Sequence, residues 1–136
     1  VSRYLLDTNA AADAMFRRRG VPERMKSARM AGHEIGIGLP VLGELYAGIE
    51  YSATRERNLE ILQRSLKLFR LWPFTPEAAA TYGRLYAELR SHGRLIQQVD
   101  LQIAAIALEL GDCTVVSEDG DLSAVPGLRV ENWAIR

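Results

Sequence analysis

The sequence predicts an α/β fold, a three-layer α/β/α sandwich about a mainly parallel central sheet. Three observations carry that expectation. Short apolar runs of strand length alternate with helix-patterned segments, the alternation that builds parallel sheets through crossover helices. One segment, residues 101–108, is nearly all apolar yet too short to cross a membrane, so it must be packed on most sides. Finally, 136 residues with 48% apolar and 25% charged side chains have the size and balance of one ordinary folded domain, residues 1–136.

The first strand covers residues 2–6, mostly apolar, and ends at Asp7. Thr8, Asn9 and three alanines follow, so a helix starts there with Thr8 or Asn9 as its cap. Pro22 sits in the first turn of a second helix, residues 22–31, where its missing N–H costs little. Residues 34–38 form a small strand, and Pro40 restarts a helix through Val41, Leu42, Leu45 and Ile49. From 54 to 69 a helical stripe of Leu59, Leu62, Leu66 and Phe69 recurs every three or four residues, opposite a charged side. An extended piece within 68–74 leads to a helix that Pro76 opens and Gly93 ends, carrying Tyr82, Leu85, Tyr86 and Leu89. Asp100 then precedes the central apolar helix, which Gly111 stops. Residues 113–116 are a buried strand, 117–121 a polar turn and 128–130 the last strand. Ligands of open α/β sheets gather outside the carboxyl ends of the strands. Asp7 and the Asp119/Asp121 turn directly follow two of them.

Seventeen basic residues balance seventeen acidic ones, so net charge points to neither nucleic acid nor a membrane surface. Local clusters have to be read instead. Arg17, Arg18, Arg19, Arg24, Lys26 and Arg29 form one basic stretch; Arg55, Arg57, Arg64, Lys67 and Arg70 form another; Arg90 and Arg94 lie shortly before Asp100. Each is either a solvated helix face or a phosphate contact. One cysteine, Cys113, and two histidines, His33 and His92, exclude a disulfide framework and a Cys/His zinc cage. No basic-then-apolar leader opens the chain and no apolar run reaches about 18 residues, so the expected compartment is the cytoplasm, with no membrane span. No phosphate-loop or dinucleotide fingerprint is present.

The acids carry the chemistry. Asp7, Glu44, Asp100 and the Asp119/Asp121 pair are far apart in sequence, yet each borders segments that should be interior. Singly, each has a plain explanation: Asp7 and Asp100 as helix caps, Glu44 as a solvated side chain, Asp119 and Asp121 as turn formers. Together they do not. Like charges about 4 Å apart repel by about 4 kcal/mol per pair at an effective dielectric near 20. No neighbouring run supplies a basic partner for each acid, so the simplest counter-charge is a hard divalent cation, Mg²⁺ or Mn²⁺, with oxygen ligands.

Four ordered segments extend the argument: Tyr4-Leu5-Leu6-Asp7-Thr8-Asn9; Glu44-Leu45-Tyr46-Ala47-Gly48; Asp100-Leu101-Gln102-Ile103-Ala104-Ala105; and Val116-Ser117-Glu118-Asp119-Gly120-Asp121-Leu122, followed by Val125-Pro126-Gly127-Leu128 and Glu131-Asn132-Trp133. In order and spacing they resemble the signatures of PIN domains, and among those the VapC type of bacterial toxin, over nearly the whole chain. The resemblance implies a magnesium-dependent endoribonuclease of a type II toxin-antitoxin system. An RNA substrate, a cognate antitoxin protein and a homodimer are implied with it. By position, Asp7 resembles the first acid, Glu44 the second, Asp100 the third and Asp119 the fourth, with Asp7 and Asp100 as direct metal ligands. Thr8, Asn9 and Ser117 match polar neighbours that orient carboxylates. Asp121 rivals Asp119, and Glu118 stands where many relatives carry Asn.

Hydrolysing a phosphodiester requires an attacking water made more acidic and a neutralised phosphoryl group, both of which a carboxylate-held cation provides. A competing enzyme class is a phosphatase with Asp7 as nucleophile, although Asn9 replaces the acid such enzymes carry two residues later. A PIN-fold binding module without chemistry is the other competitor, and retention of all four acids speaks against it. His33 and His92 lack spaced partners and are not expected as ligands. Tyr82 and Tyr86 read as a packed helical face, Tyr46 and Tyr51 as surface for a second subunit or an antitoxin, and Trp72, Trp133 and Cys113 as core or edge.

Overall fold

The computed structural model describes residues 2–136. Its elements follow in the order β1 (Arg3–Leu6), α1 (Thr8–Met15), α2 (Val21–Met30), β2 (Glu34–Gly38), α3 (Leu39–Glu50), α4 (Arg55–Ser65), β3 (Arg70–Trp72), α5 (Pro76–Ser91), α6 (Gln98–Leu110), β4 (Cys113–Val116) and β5 (Arg129–Glu131), with 3₁₀ turns at Leu66–Leu68 and Gly120–Ala124. The strands lie side by side as β3-β2-β1-β4-β5, and every pairing is parallel. Parallel neighbours need crossovers, which are right-handed as a rule. The chain therefore steps from β1 out to β3 with its helices on one face, then returns to β4 and β5 with α5 and α6 on the other. The expected three layers result.

That reversal of direction has a place. It falls between β1 and β4, which are hydrogen-bonded neighbours from Arg3 opposite Cys113 to Leu6 opposite Val116. Diverging connections leave a crevice at the carboxyl ends of such a strand pair.

The core explains why the strands read as continuous apolar runs. Leu5, Leu6, Ile35, Ile37, Val115 and Val116 are all buried, and burial on both faces of a parallel sheet needs apolar side chains at consecutive positions. Helix α6 fills the space over the sheet with Leu101 and the unbroken buried run from Ile103 to Ala107, each large side chain contributing about 2 kcal/mol of burial. Small residues let backbones approach. A Cβ on Gly36 would sit 2.3 Å from the carbonyl oxygen of Arg70 in the neighbouring strand, so only glycine fits between β2 and β3.

Three sequence expectations need adjustment. Of the two cap readings for α1, Asp7 holds the position, and Thr8 and Asn9 do not. The helix expected over 54–69 ends at Ser65, because the stripe tightens into the 3₁₀ turn before Phe69 turns extended toward β3. Helix α6 starts at Gln98, three residues earlier than expected, which places Asp100 inside its first turn rather than at its cap, the position Gln97 holds.

Candidate active site

Asp7 emerges from β1 with its backbone N–H bonded to the Val116 carbonyl of β4 at 3.0 Å. Its side chain turns back so that Oδ1 accepts the Ala10 N–H at 2.8 Å, capping α1. The plain role and the chemical one thus belong to the same carboxylate. Asp7 is only 5% exposed. Burial pushes its carboxyl above the ordinary carboxylate range; bonds from Ser117 and Ala10 oppose that, and the charges of Asp119 and Glu118 reinforce it.

The other acids come from the elements the sequence indicated. Glu44, on the second turn of α3, is half-buried and receives the Thr8 hydroxyl on Oε1 at 2.5 Å, tying α3 to the start of α1. Asp119 caps the 3₁₀ turn after β4, its Oδ1 accepting the Asp121 N–H at 2.9 Å, while its own N–H donates to Ser117 Oγ at 2.9 Å. Asp100 is half-buried, and its carboxyl is pushed up to about 6, first by burial, then by the charges of Asp119 and Asp7, by a hydrogen bond with Asp119, and by Glu44. Three other acids act on it. Four carboxylates from four elements therefore share one electrostatic site.

A cleft of about 300 Å³ contains them, lined by Asp7, Thr8, Asn9, Glu44, Gln97, Asp100 and Asp119. Every one of these side chains offers an oxygen donor and none is basic. Asp121 is exposed and lies outside this lining, so of the two rivals Asp119 is the one that faces the cleft. Among the described residues no three His, Cys, Asp or Glu side chains close a cage able to hold a metal ion by themselves. A hard cation that keeps several waters and takes one or two carboxylates fits such an open set of oxygens. The upward-shifted carboxyls show why it would be welcome: among the described residues neither Asp7 nor Asp100 has a basic partner.

Gln97 is the lining residue that sequence reasoning missed. It carries no motif and reaches the cleft only because α6 begins one turn before its apolar run.

The basic stretches are mostly spent within the molecule. Arg18 and Arg19 face Asp13 at 3.5 and 3.7 Å, Arg24 reaches Glu131 at 3.4 Å and lies over the Trp133 ring, and Arg29 donates to the Leu68 carbonyl. Arg55 bonds Glu50 and Glu56, Arg64 bonds Glu60, and Arg70 pairs with Glu34. His33 Nδ1 accepts the Ser2 N–H at 3.2 Å and its ring meets Tyr4 edge-on, remote from the cleft lining. Trp133 is buried and Trp72 half-buried; Cys113 is buried with its thiol pushed up to about 12, chiefly by burial.

A parallel α/β domain whose strand-switch crevice is walled by carboxylates defines a class of site, one whose oxygen set suits a hard divalent cation. The chain belongs to the PIN domain family, whose profile matches residues 4–128. It is 32% identical over 131 residues to Ribonuclease VapC2 of Haemophilus influenzae, covering 96% of this chain and 98% of that protein. It is 27% identical over 132 residues to the tRNA(fMet)-specific endonuclease VapC of Salmonella typhimurium, with 96% and 98% covered. Among solved structures it resembles VapBC2 from Rickettsia felis bound to a promoter DNA fragment, with a TM-score of 0.88 at 28% identity over 96% of this chain and 98% of that one.

Proposed function

We propose that this protein is the toxin of a type II toxin-antitoxin system, a divalent-metal-dependent endoribonuclease formed by one PIN domain over residues 1–136. The observation that carries the reading is the convergence of Asp7, Glu44, Asp100 and Asp119 on one cleft, with the Asp7 and Asp100 carboxyls pushed upward by burial and by other acids. Relatives named as ribonucleases and as a tRNA endonuclease support the substrate class and speak against the phosphatase alternative.

In this reading Asp7 and Asp100 hold the ion, Mg²⁺ with Mn²⁺ as a substitute. Bound there, it would acidify the attacking water and neutralise the phosphoryl oxygens. The protein's own groups do the placing. Thr8 holds one oxygen of Glu44, leaving the other to take the proton of the attacking water. Asp119, fixed by the turn after β4 and hydrogen-bonded to Asp100, completes the anionic wall. Water adds across the P–O bond directly, so no acyl-phosphate forms on Asp7.

The partner follows from a second surface. An apolar groove of about 210 Å³, including Met15, Phe16, Leu45 and Ile49, opens beside Thr8 and Glu44. Through Met15 and Phe16 it runs into one of about 570 Å³ edged by Arg17, Arg57, Arg64 and Lys67. An amphipathic, acidic segment of an antitoxin suits that combination of floor and rim. Exposed Tyr46 and Tyr51 suit a homodimer, and a ribonuclease held by an antitoxin belongs in the cytoplasm with its RNA.

The test is cleavage of total bacterial RNA and of initiator tRNA by the purified protein with Mg²⁺, Mn²⁺ or a chelator. Metal-dependent cleavage is expected from the wild type, and Asp7→Asn or Asp100→Asn should lower it at least 100-fold. Full cleavage in chelator, or by both variants, sinks the proposal.

A further inference from the structure

The turn between α1 and α2 carries two arginines, Arg17 and Arg19, both with φ of +57°, in the left-handed region that side chains disfavour. Such a backbone persists only where its surroundings hold it. Here they do so at several points. The Arg19 carbonyl accepts the Ile135 N–H at 2.7 Å, and Arg18 bonds back to the Asp13 carbonyl through its own N–H at 2.8 Å. The Arg19 guanidinium grips Glu118 with both ends of its fork, Nη1 to Oε1 and Nη2 to Oε2, each at 2.7 Å, while Nη1 also lies 3.7 Å from the buried Asp13.

The place of that grip matters. Glu118 is the residue between Ser117 and Asp119, in the loop that leaves β4 for the cleft, whereas Asp13 belongs to α1, the helix that Asp7 opens. We propose that Arg19 is a positioning residue for the candidate active site, which, through its two-pronged bond to Glu118, locks the loop bearing Asp119 against the helix bearing Asp7. A planar fork on both oxygens of a carboxylate fixes orientation as well as distance, which a single ammonium cannot do. The inference rests on the metal-assisted cleavage reading above, since its consequence is the spacing of two acids that serve one ion.

The test compares Arg19→Gln, Glu118→Gln, the double variant and Arg19→Lys with the wild type. Two quantities are read: hydrogen exchange of the Asp119 and Asp121 amides in metal-free protein, and affinity for Mn²⁺ alone by calorimetry. Both amides bond to side chains of the loop, so their protection reports its order. Each Gln variant should speed exchange at both amides and weaken Mn²⁺ binding about tenfold, the usual effect of losing a group that orients a ligand. The double variant should be no worse than either single one, and Arg19→Lys should recover only part. Unchanged exchange overturns the clamp, as does Mn²⁺ affinity that stays intact while the melting temperature drops. A loss of RNA affinity in Arg19→Gln with Glu118→Gln silent also overturns it, by making Arg19 a phosphate contact. A wild type that takes up no Mn²⁺ overturns the metal site instead, and the exchange rates then still decide the clamp.

Discussion

Asp100 binds its proton up to about pH 6, against an ordinary value of 3.8, because folding buries it beside three other acids. Between those two values the folded chain retains a proton that the unfolded chain has released, so the stability of the metal-free protein falls as pH rises across that window. Asn at this position removes the penalty. Asp100→Asn should therefore melt at a higher temperature than the wild type at pH 7 without metal, and the advantage should vanish below pH 4; a variant less stable at both pH values would show that the carboxylate is structurally satisfied. Asp7, Asp100 and Asp119 were legible because an acid directly beside an apolar strand or helix is conspicuous. The Thr8–Glu44 bond, Gln97 in the cleft and the Arg19–Glu118 pair were not, since their partners meet only through the fold and no spacing marks them. Even the basic run from Arg17 to Arg29 misled at this scale: its acidic partners, Asp13, Glu118 and Glu131, come from both ends of the chain.

The element boundaries followed local chemistry wherever that chemistry was strong. Pro22, Pro40 and Pro76 each stand in a first helical turn, and Gly111, with φ of 71°, closes α6 as expected of a glycine stop. One boundary that shifted, the end of α4, lies where a helical stripe and a strand compete for the residues around Phe69. Periodicity alone cannot arbitrate there, because Leu66 and Phe69 suit either state. At β2 the sequence showed a glycine without its reason. The reason is the approach of the Arg70 carbonyl, so Gly36→Ala must push β3 away and should destabilise the protein by about 1–3 kcal/mol, measured by urea unfolding. An unaltered midpoint would mean that the edge strand yields freely.

For the whole molecule, balanced charge hides a division of labour. The cleft gathers acids, while the long groove running from Thr8 to Lys67 offers an apolar floor with a basic rim. Among its rim residues, Arg57 and Lys67 have no ion-pair partner among the described residues, so reversing both, Arg57→Glu with Lys67→Glu, should weaken capture of the coexpressed antitoxin by about tenfold, or about 1.4 kcal/mol. Equal capture would move the antitoxin to another face. The strand order itself was not legible, although the parallel character was, since alternation of strand and helix says nothing about which neighbour a returning strand takes.

That order has a temporal side. Arg3 finds its partner in Cys113, so the pair of strands that frames the crevice closes only after β4 has left the ribosome. Of the four acids, Asp7 is made first and Asp119 last. A chain stopped before β4 therefore lacks the crevice, and in the proposed reading that interval gives an antitoxin already present the chance to be waiting when β4 docks.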